Sequence, residues 1–276
     1  MARAHQELPS KPDIKSAVSQ AIIGPGDTVD DTISVTKEAT AKALQSVGKG
    51  GKATAKVGAD ILTGAIEAVD DIGGQLGKAV RGTTIGIVQG AAEVAPVTVP
   101  TVVGIVRGAI SGTSSVGKDI DAVATEITYG AVVATKGIAL TLEDATFGVA
   151  FGLVSGIGNL GTDIGLIAKS AMRGSAAGAK EIGADVTVVA NSTARGLVKG
   201  TYEIGGDITK VAVIAVEGAI EAAKSIGVKA EDAGSAAASG AIEAAGETSR
   251  ATAEAVAKAV TTTIKGVRCV IKEPIE

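Results

Sequence analysis

The stretch Gly112-Thr-Ser-Ser-Val-Gly117-Lys118-Asp119 comes within one residue of the phosphate-cradling loop Gly-x-x-x-x-Gly-Lys-[Ser/Thr], and it follows the strand-like run 102–110. In such a loop the backbone amides hold phosphate and the final hydroxyl ligates magnesium. Asp119 stands where that hydroxyl is needed and brings a carboxylate toward the anion instead. The phrase also recurs as Leu160-Gly-Thr-Asp-Ile164 and Ile204-Gly-Gly-Asp-Ile208, which assigns it to a repeat rather than to a nucleotide site. Asp119, Asp163, Asp185 and Asp207 recur with that repeat. On one continuous helix they lie roughly tens of Å apart, whereas a Ca²⁺ or Mg²⁺ ion gathers its oxygens within about 2.5 Å. The adjacent acids Asp70/Asp71, Glu143/Asp144 and Glu231/Asp232 point in different directions on a helix and make poor acid and base pairs. His5 and Cys269, each the sole residue of its type, sit near opposite ends of the chain. No catalytic, metal or cofactor residue is assigned, and the expectation is a protein that is not an enzyme and has no small-molecule substrate.

The elements behind these residues are repeated. Steps of 22 residues connect Gly64, Gly86, Gly108, Gly130, Gly152, Gly174, Gly196, Gly218 and Gly240 in unbroken register. Counting each unit from its glycine, the ninth position is Ile72, Val94, Val116, Ile138, Leu160, Ile182, Ile204 and Ile226, and the thirteenth includes Leu76, Ile120, Leu142, Ile164, Val186 and Ile208. Other apolar positions follow at steps of three and four, the signature of helix. The expected fold class is therefore all-α, built from long amphipathic helices. A β-solenoid with 22-residue coils is the alternative, since such periods occur there too. Six turns at about 3.67 residues per turn span the unit, so an apolar stripe runs nearly straight along a continuous helix of about 33 Å per unit. The ninth and thirteenth residues are read as an apolar interaction face. Glycines at the border of that face form Gly-x-x-x-Gly pairs at Gly86/Gly90, Gly108/Gly112, Gly152/Gly156, Gly174/Gly178 and Gly196/Gly200, and such rows permit close backbone approach.

Several points interrupt the pattern. Residues 1–13 read as a flexible N-terminal arm, 14–63 as degenerate helical repeats and 64–95 as regular ones. Pro96 and Pro100 mark a kink or fold-back at 96–100, because proline inside a helix costs about 3 kcal/mol. Helical repeats resume over 101–265, and 266–276 form a C-terminal tail.

Composition narrows the function classes. Aromatic residues make up 1% of the chain and Trp is absent, so the interior consists of closely apposed thin elements, or the apolar face meets something else. Twenty-six basic residues interspersed among 30 acidic ones leave a net charge of -4 without a basic stripe, which argues against nucleic acid. A single cysteine and the absence of an apolar h-region at the start predict a cytoplasmic, non-secreted protein. The 145–162 run is uncharged but holds five glycines, Ser155 and Asn159, a poor membrane span.

The repeat resembles 11-residue-repeat amphipathic proteins (perilipins, synucleins, exchangeable apolipoproteins and late-embryogenesis-abundant helical proteins), and the phrases Val198-Lys-Gly-Thr201, Val216-Glu-Gly-Ala-Ile-Glu221 and Ala222-Ala-Lys-Ser-Ile-Gly227 look like the weakly hydrophobic helices of perilipins and synucleins. That resemblance implies a non-enzymatic chain whose apolar face becomes ordered on lipid or on another helix. This sequence carries fewer lysines and is slightly acidic. The leading expectation is a coat or anchor peripheral to a lipid, membrane or storage-granule surface. The second is a self-assembling homo-oligomeric bundle, filament or scaffold held by its Gly/Ala rows.

Overall fold

Each regular unit of the chain is one helix followed by one tight turn. In the computed structural model, residues 28–47, 50–72, 76–115, 119–158 and 162–270 are described. The helices are α1 (Thr28–Val47), α2 (Gly51–Ile72), α3 (Leu76–Val94), α4 (Val99–Ser115), α5 (Ile120–Ala134), α6 (Leu142–Ile157), α7 (Ile164–Ile182), α8 (Val186–Glu203), α9 (Ile208–Ile226), α10 (Ala230–Gly246) and α11 (Arg250–Val260). A two-residue antiparallel hairpin follows, β1 (Thr263–Ile264) and β2 (Val267–Arg268). The protein is all-α apart from this hairpin, and no β-solenoid coil occurs among the described residues.

The expectation of six uninterrupted helical turns per unit is corrected by the phrase Ile-Gly-x-Asp-Ile. Gly183 and Gly227 take left-handed conformations, φ 69° and 78°, at the ends of α7 and α9. Their neighbours Ala184 and Val228 donate backward to the carbonyls of Ala179 and Ala223, closing the last helical turn. Two residues after each glycine the next cap begins. Asp185 Oδ1 accepts from the Thr187 amide at 2.8 Å, Asp163 Oδ1 from Gly165 at 2.8 Å and Asp207 Oδ1 from Lys210 at 2.9 Å. A carboxylate there satisfies an orphan amide and meets the positive helix end. Asp163, Asp185 and Asp207 are thus helix caps, whereas Asp119 precedes α5 without a side-chain cap bond, and the Gly-Gly-Asp of the 204–208 phrase is a turn rather than part of a continuous helix.

These turns fold the chain into two layers. Helices α1, α3, α5, α7 and α9 pack in succession in one layer, and α2, α4, α6, α8 and α10 in the other. From α3 to α10 each helix packs more extensively on the one two places before it than on its immediate predecessor, so the stacking unit is a helical hairpin of two sequence units. Ile61, Ile66, Ile110, Ile127, Leu153 and Leu197 are among the side chains fully buried in the shared core. Each such side chain contributes about 1.5–3 kcal/mol relative to exposure. Buried threonines adapt to this apolar interior by back-bonding: Thr84, Thr128 and Thr201 donate to the carbonyls of Val80, Ala124 and Leu197.

Pro96 and Pro100 do coincide with a fold-back, between α3 and α4, and Pro100 occupies the first turn of α4, where a missing amide costs little. The chain folds back as sharply at the glycine turns. The last stack layer is closed by α11 and the hairpin, with Val256, Val260, Ile264 and Cys269 buried against α9 and α10. The segment read from sequence as a tail therefore begins as part of this closure, where the Val270 amide donates to Ser235 Oγ. The N-terminal arm, 1–13, lies outside the described residues.

Candidate functional site

The apolar and glycine residues singled out from sequence fall into two places in the stack, the turns and the layers. Those of the thirteenth position start helices, and of the ninth Ile72, Ile182 and Ile226 end them, while Ile204 follows the end of α8 and Ile138 lies in the α5–α6 turn. Leu76, Ile120, Ile138, Ile164, Ile204 and Ile208 are half-buried and pack against the main core of their own chain. Leu142, Ile182 and Ile226 do the same around a smaller cluster that includes Val186. Ile72 is the last residue of α2, and Val116 and Leu160 lie outside the described residues.

The glycines lie within the layers. Gly174 and Gly178 of α7 sit over Thr128 and Val132 of α5, so that a Cβ on either glycine would stand 2.9 Å from the facing Cβ. Gly196 and Gly200 of α8 meet Ala150 and Val154 of α6, at 2.8 and 2.9 Å, and Gly152 and Gly156 of α6 meet Val106 and Ile110 of α4, at 3.0 and 3.3 Å. The partner in each case lies 46 residues earlier. In the first hairpins Gly86 and Gly90 face Thr36 and Thr40, and Gly108 and Gly112 face Ala59 and Thr63. The close approach runs between helices two places apart in one chain.

Outside the rows, charges bridge helices of the same layer. Arg107 of α4 reaches Ser155 of α6 at 3.1 Å and Glu203 of α8 at 3.2 Å. Lys169 of α7 lies between Glu217 and Glu221 of α9, at 3.3 and 3.4 Å; burial pulls its pKa down, and the two carboxylates more than restore it, leaving it above the ordinary lysine value. Arg195 and Lys199 of α8 engage Glu243 and Glu247 beside α10. In the odd layer Arg81 of α3 pairs with Glu126 of α5 at 2.8 Å and stacks 3.8 Å from the Tyr129 ring centroid.

The phosphate-loop lookalike lacks the context of such a loop. The run 102–110 is helical within α4, Gly112 and Thr113 continue that helix, and Thr113 donates to the Ala109 carbonyl. Residues 116–118 lie outside the described residues. Asp119 precedes α5, and its hydrogen bond to Asp121, with partial burial, pushes the latter's carboxyl above its ordinary value. Two carboxyls at that helix start repel a phosphate. Burial, reinforced by Glu231, likewise pushes the Cys269 thiol up and away from a reactive thiolate. Among the described residues no three His, Cys, Asp or Glu side chains converge as a metal-binding group, and no helix is long and apolar enough to cross a membrane. The 145–162 run lies largely in α6, with Val149, Leu153 and Val154 fully buried in the protein core.

One concavity was missed by sequence reasoning. A cleft of about 420 Å³ lies between the α3–α4 and α5–α6 turns and the side of α1. Val97, Ile138 and Leu140 form its apolar part, next to Pro96 and Ala139. Lys37, Glu93 and Lys136 supply its charges, with Lys37 Nζ paired to Glu93 at 2.7 Å. A sequence signal for it exists. The tenth position is glycine in Gly73, Gly117, Gly161, Gly183, Gly205 and Gly227, but it is Ala95 and Ala139 in the two units that border the cleft. Alanine resists the left-handed turn, so α5 stops early at Ala134 and Gly137 reverses the chain instead, at φ 95°.

No known protein family matches the chain, and no curated protein matches it in sequence.

Proposed function

We propose that this chain is a non-enzymatic structural scaffold, a self-supporting stack of helical hairpins that acts through its outer surface, with further copies of itself or a larger assembly as partner. One observation carries this reading: the glycine rows and the apolar turn residues are occupied by neighbours in the same chain. A helix that closes on its own neighbours has no need of lipid to become ordered. The cross-helix ion pairs support the reading, because they sit on the outer faces and join the hairpins along the stack. Their individual worth is small, about 0–1 kcal/mol for exposed pairs. A lipid or granule surface that binds these apolar and glycine faces requires the two layers to part so that the core residues change neighbours.

Circular dichroism of the purified chain, with and without anionic vesicles and alongside analytical ultracentrifugation, separates these states. The scaffold reading expects high helicity in the lipid-free protein and an unchanged spectrum with vesicles. Low helicity in buffer that rises on lipid would instead favour the coat.

A further inference from the structure

We infer that the cleft between the α3–α4 and α5–α6 turns is a binding site for a small amphipathic monoanion, an aliphatic carboxylate being the simplest example. The repeat itself provides the comparison. Lys136, Lys180 and Lys224 occupy the same position in units 44 residues apart. Lys180 Nζ donates to the Ile226 carbonyl at 2.8 Å, and Lys224 Nζ donates to the Lys265 carbonyl at 3.3 Å, so both close a neighbouring turn of the stack. Lys136 makes neither bond and no ion pair among the described residues; it is exposed and lines the cleft. The early end of α5 has moved it out of the structural role its counterparts fill.

The chemistry follows from the lining. Lys37 and Lys136 against Glu93 leave one uncompensated positive charge at the cleft. The amides of Gly137, Ala139 and Leu140, in the turn that lines it, have no backbone acceptor among the described residues. Val97, Ile138 and Leu140 provide an apolar surface continuous with the core, since Val97 and Ile138 pack against it and Leu140 belongs to it. The volume falls in the range of small-molecule sites, about 300–1,000 Å³. An anionic head at Lys136 and a short apolar body on Val97, Ile138 and Leu140 use each of these features.

Isothermal titration of the full chain with octanoate, below its micelle concentration, tests the site. Saturable one-to-one binding is expected, weakened about tenfold by Lys136→Ala, equivalent to about 1.4 kcal/mol. The matched variant Lys180→Ala, which removes the equivalent lysine from a regular turn, should leave the affinity within about twofold. Neutral 1-octanol should bind the unaltered protein at least about tenfold more weakly, an arm that needs no variant. Absence of saturable binding, equal affinity for octanol and octanoate, or equal affinity of the Lys136→Ala variant and the parent would each overturn the assignment. Circular dichroism melts of both variants establish that any loss occurs in folded protein.

Discussion

Gly196 illustrates how a residue that weakens an isolated helix can strengthen a stack. Alanine there gains about 1 kcal/mol of helix propensity. Its Cβ, however, would stand 2.5 Å from the Phe147 carbonyl oxygen and 2.8 Å from Ala150 Cβ, so α6 and α8 would have to move apart. Overpacking of this kind costs about 1–3 kcal/mol, and we expect Gly196→Ala to lower the urea midpoint accordingly. Gly246→Ala is the contrasting case, because its Cβ would meet only Ala253 Cβ at 3.9 Å, and its stability should hold or rise. The capping aspartates have a different signature. Hydrogen bonds from the Thr187 amide and hydroxyl hold the Asp185 carboxyl below its ordinary value. Its contribution is fully present above the unfolded-state value of about 3.9 and is lost as pH falls through the lower folded value. Asp185→Ala should cost about 1 kcal/mol at neutral pH, shrinking toward zero in acid, as read from urea unfolding at a series of pH values.

At the scale of the element, the unit of 22 residues is 19 of helix and three of turn, as in Ile164–Ile182 followed by Gly183, Ala184 and Asp185. Helical character was legible from the three-and-four spacing, and the glycine positions were legible from their register. The turn was not, because 22 residues also equal six turns of an uninterrupted helix, and a helical wheel carries its phase straight through a break. The local chemistry at 182–186 did contain the answer: glycine after the last apolar residue and aspartate before the next are stop and start signals. The cleft was harder to see, since it depends on two irregular turns, 94–99 and 134–142, lying side by side after folding. The hairpin as stacking unit has a direct consequence for deletions. Removing 164–207 joins Asp163 to Ile208 and keeps α9 and α10 in their own layers, whereas removing 186–207 joins Asp185 to Ile208 and moves α9 and α10 to the opposite layers. Both preserve an Asp-Ile cap. We expect the first deletion to retain helicity per residue and a single unfolding transition, and the second to lose stability more severely in the same circular dichroism melts.

For the whole molecule, a core of small side chains becomes workable because the glycine rows bring the helices of each layer together and the two layers enclose what remains. The scarcity of aromatic residues follows from this geometry, with Phe147 and Phe151 stacked at 6.0 Å and Tyr129 under Arg81 as local exceptions. Stability in such an array is carried by neighbouring repeats, so its ends need closure, and α11 with the β1–β2 hairpin supplies it at one end. The central claim is that the apolar and glycine faces meet within one chain. A disulfide tests it most directly, in a chain with Cys269→Ser and the pair Val102→Cys and Gly148→Cys. A Cβ at 148 lies 3.3 Å from Val102 Cβ, near the separation of about 3.5–4.5 Å in a disulfide, whereas 46 residues of continuous helix would hold the two about 69 Å apart. Mild oxidation followed by non-reducing electrophoresis and mass spectrometry should reveal an intrachain bond in a monomer. Free thiols, or bonds formed only between chains, would contradict the account.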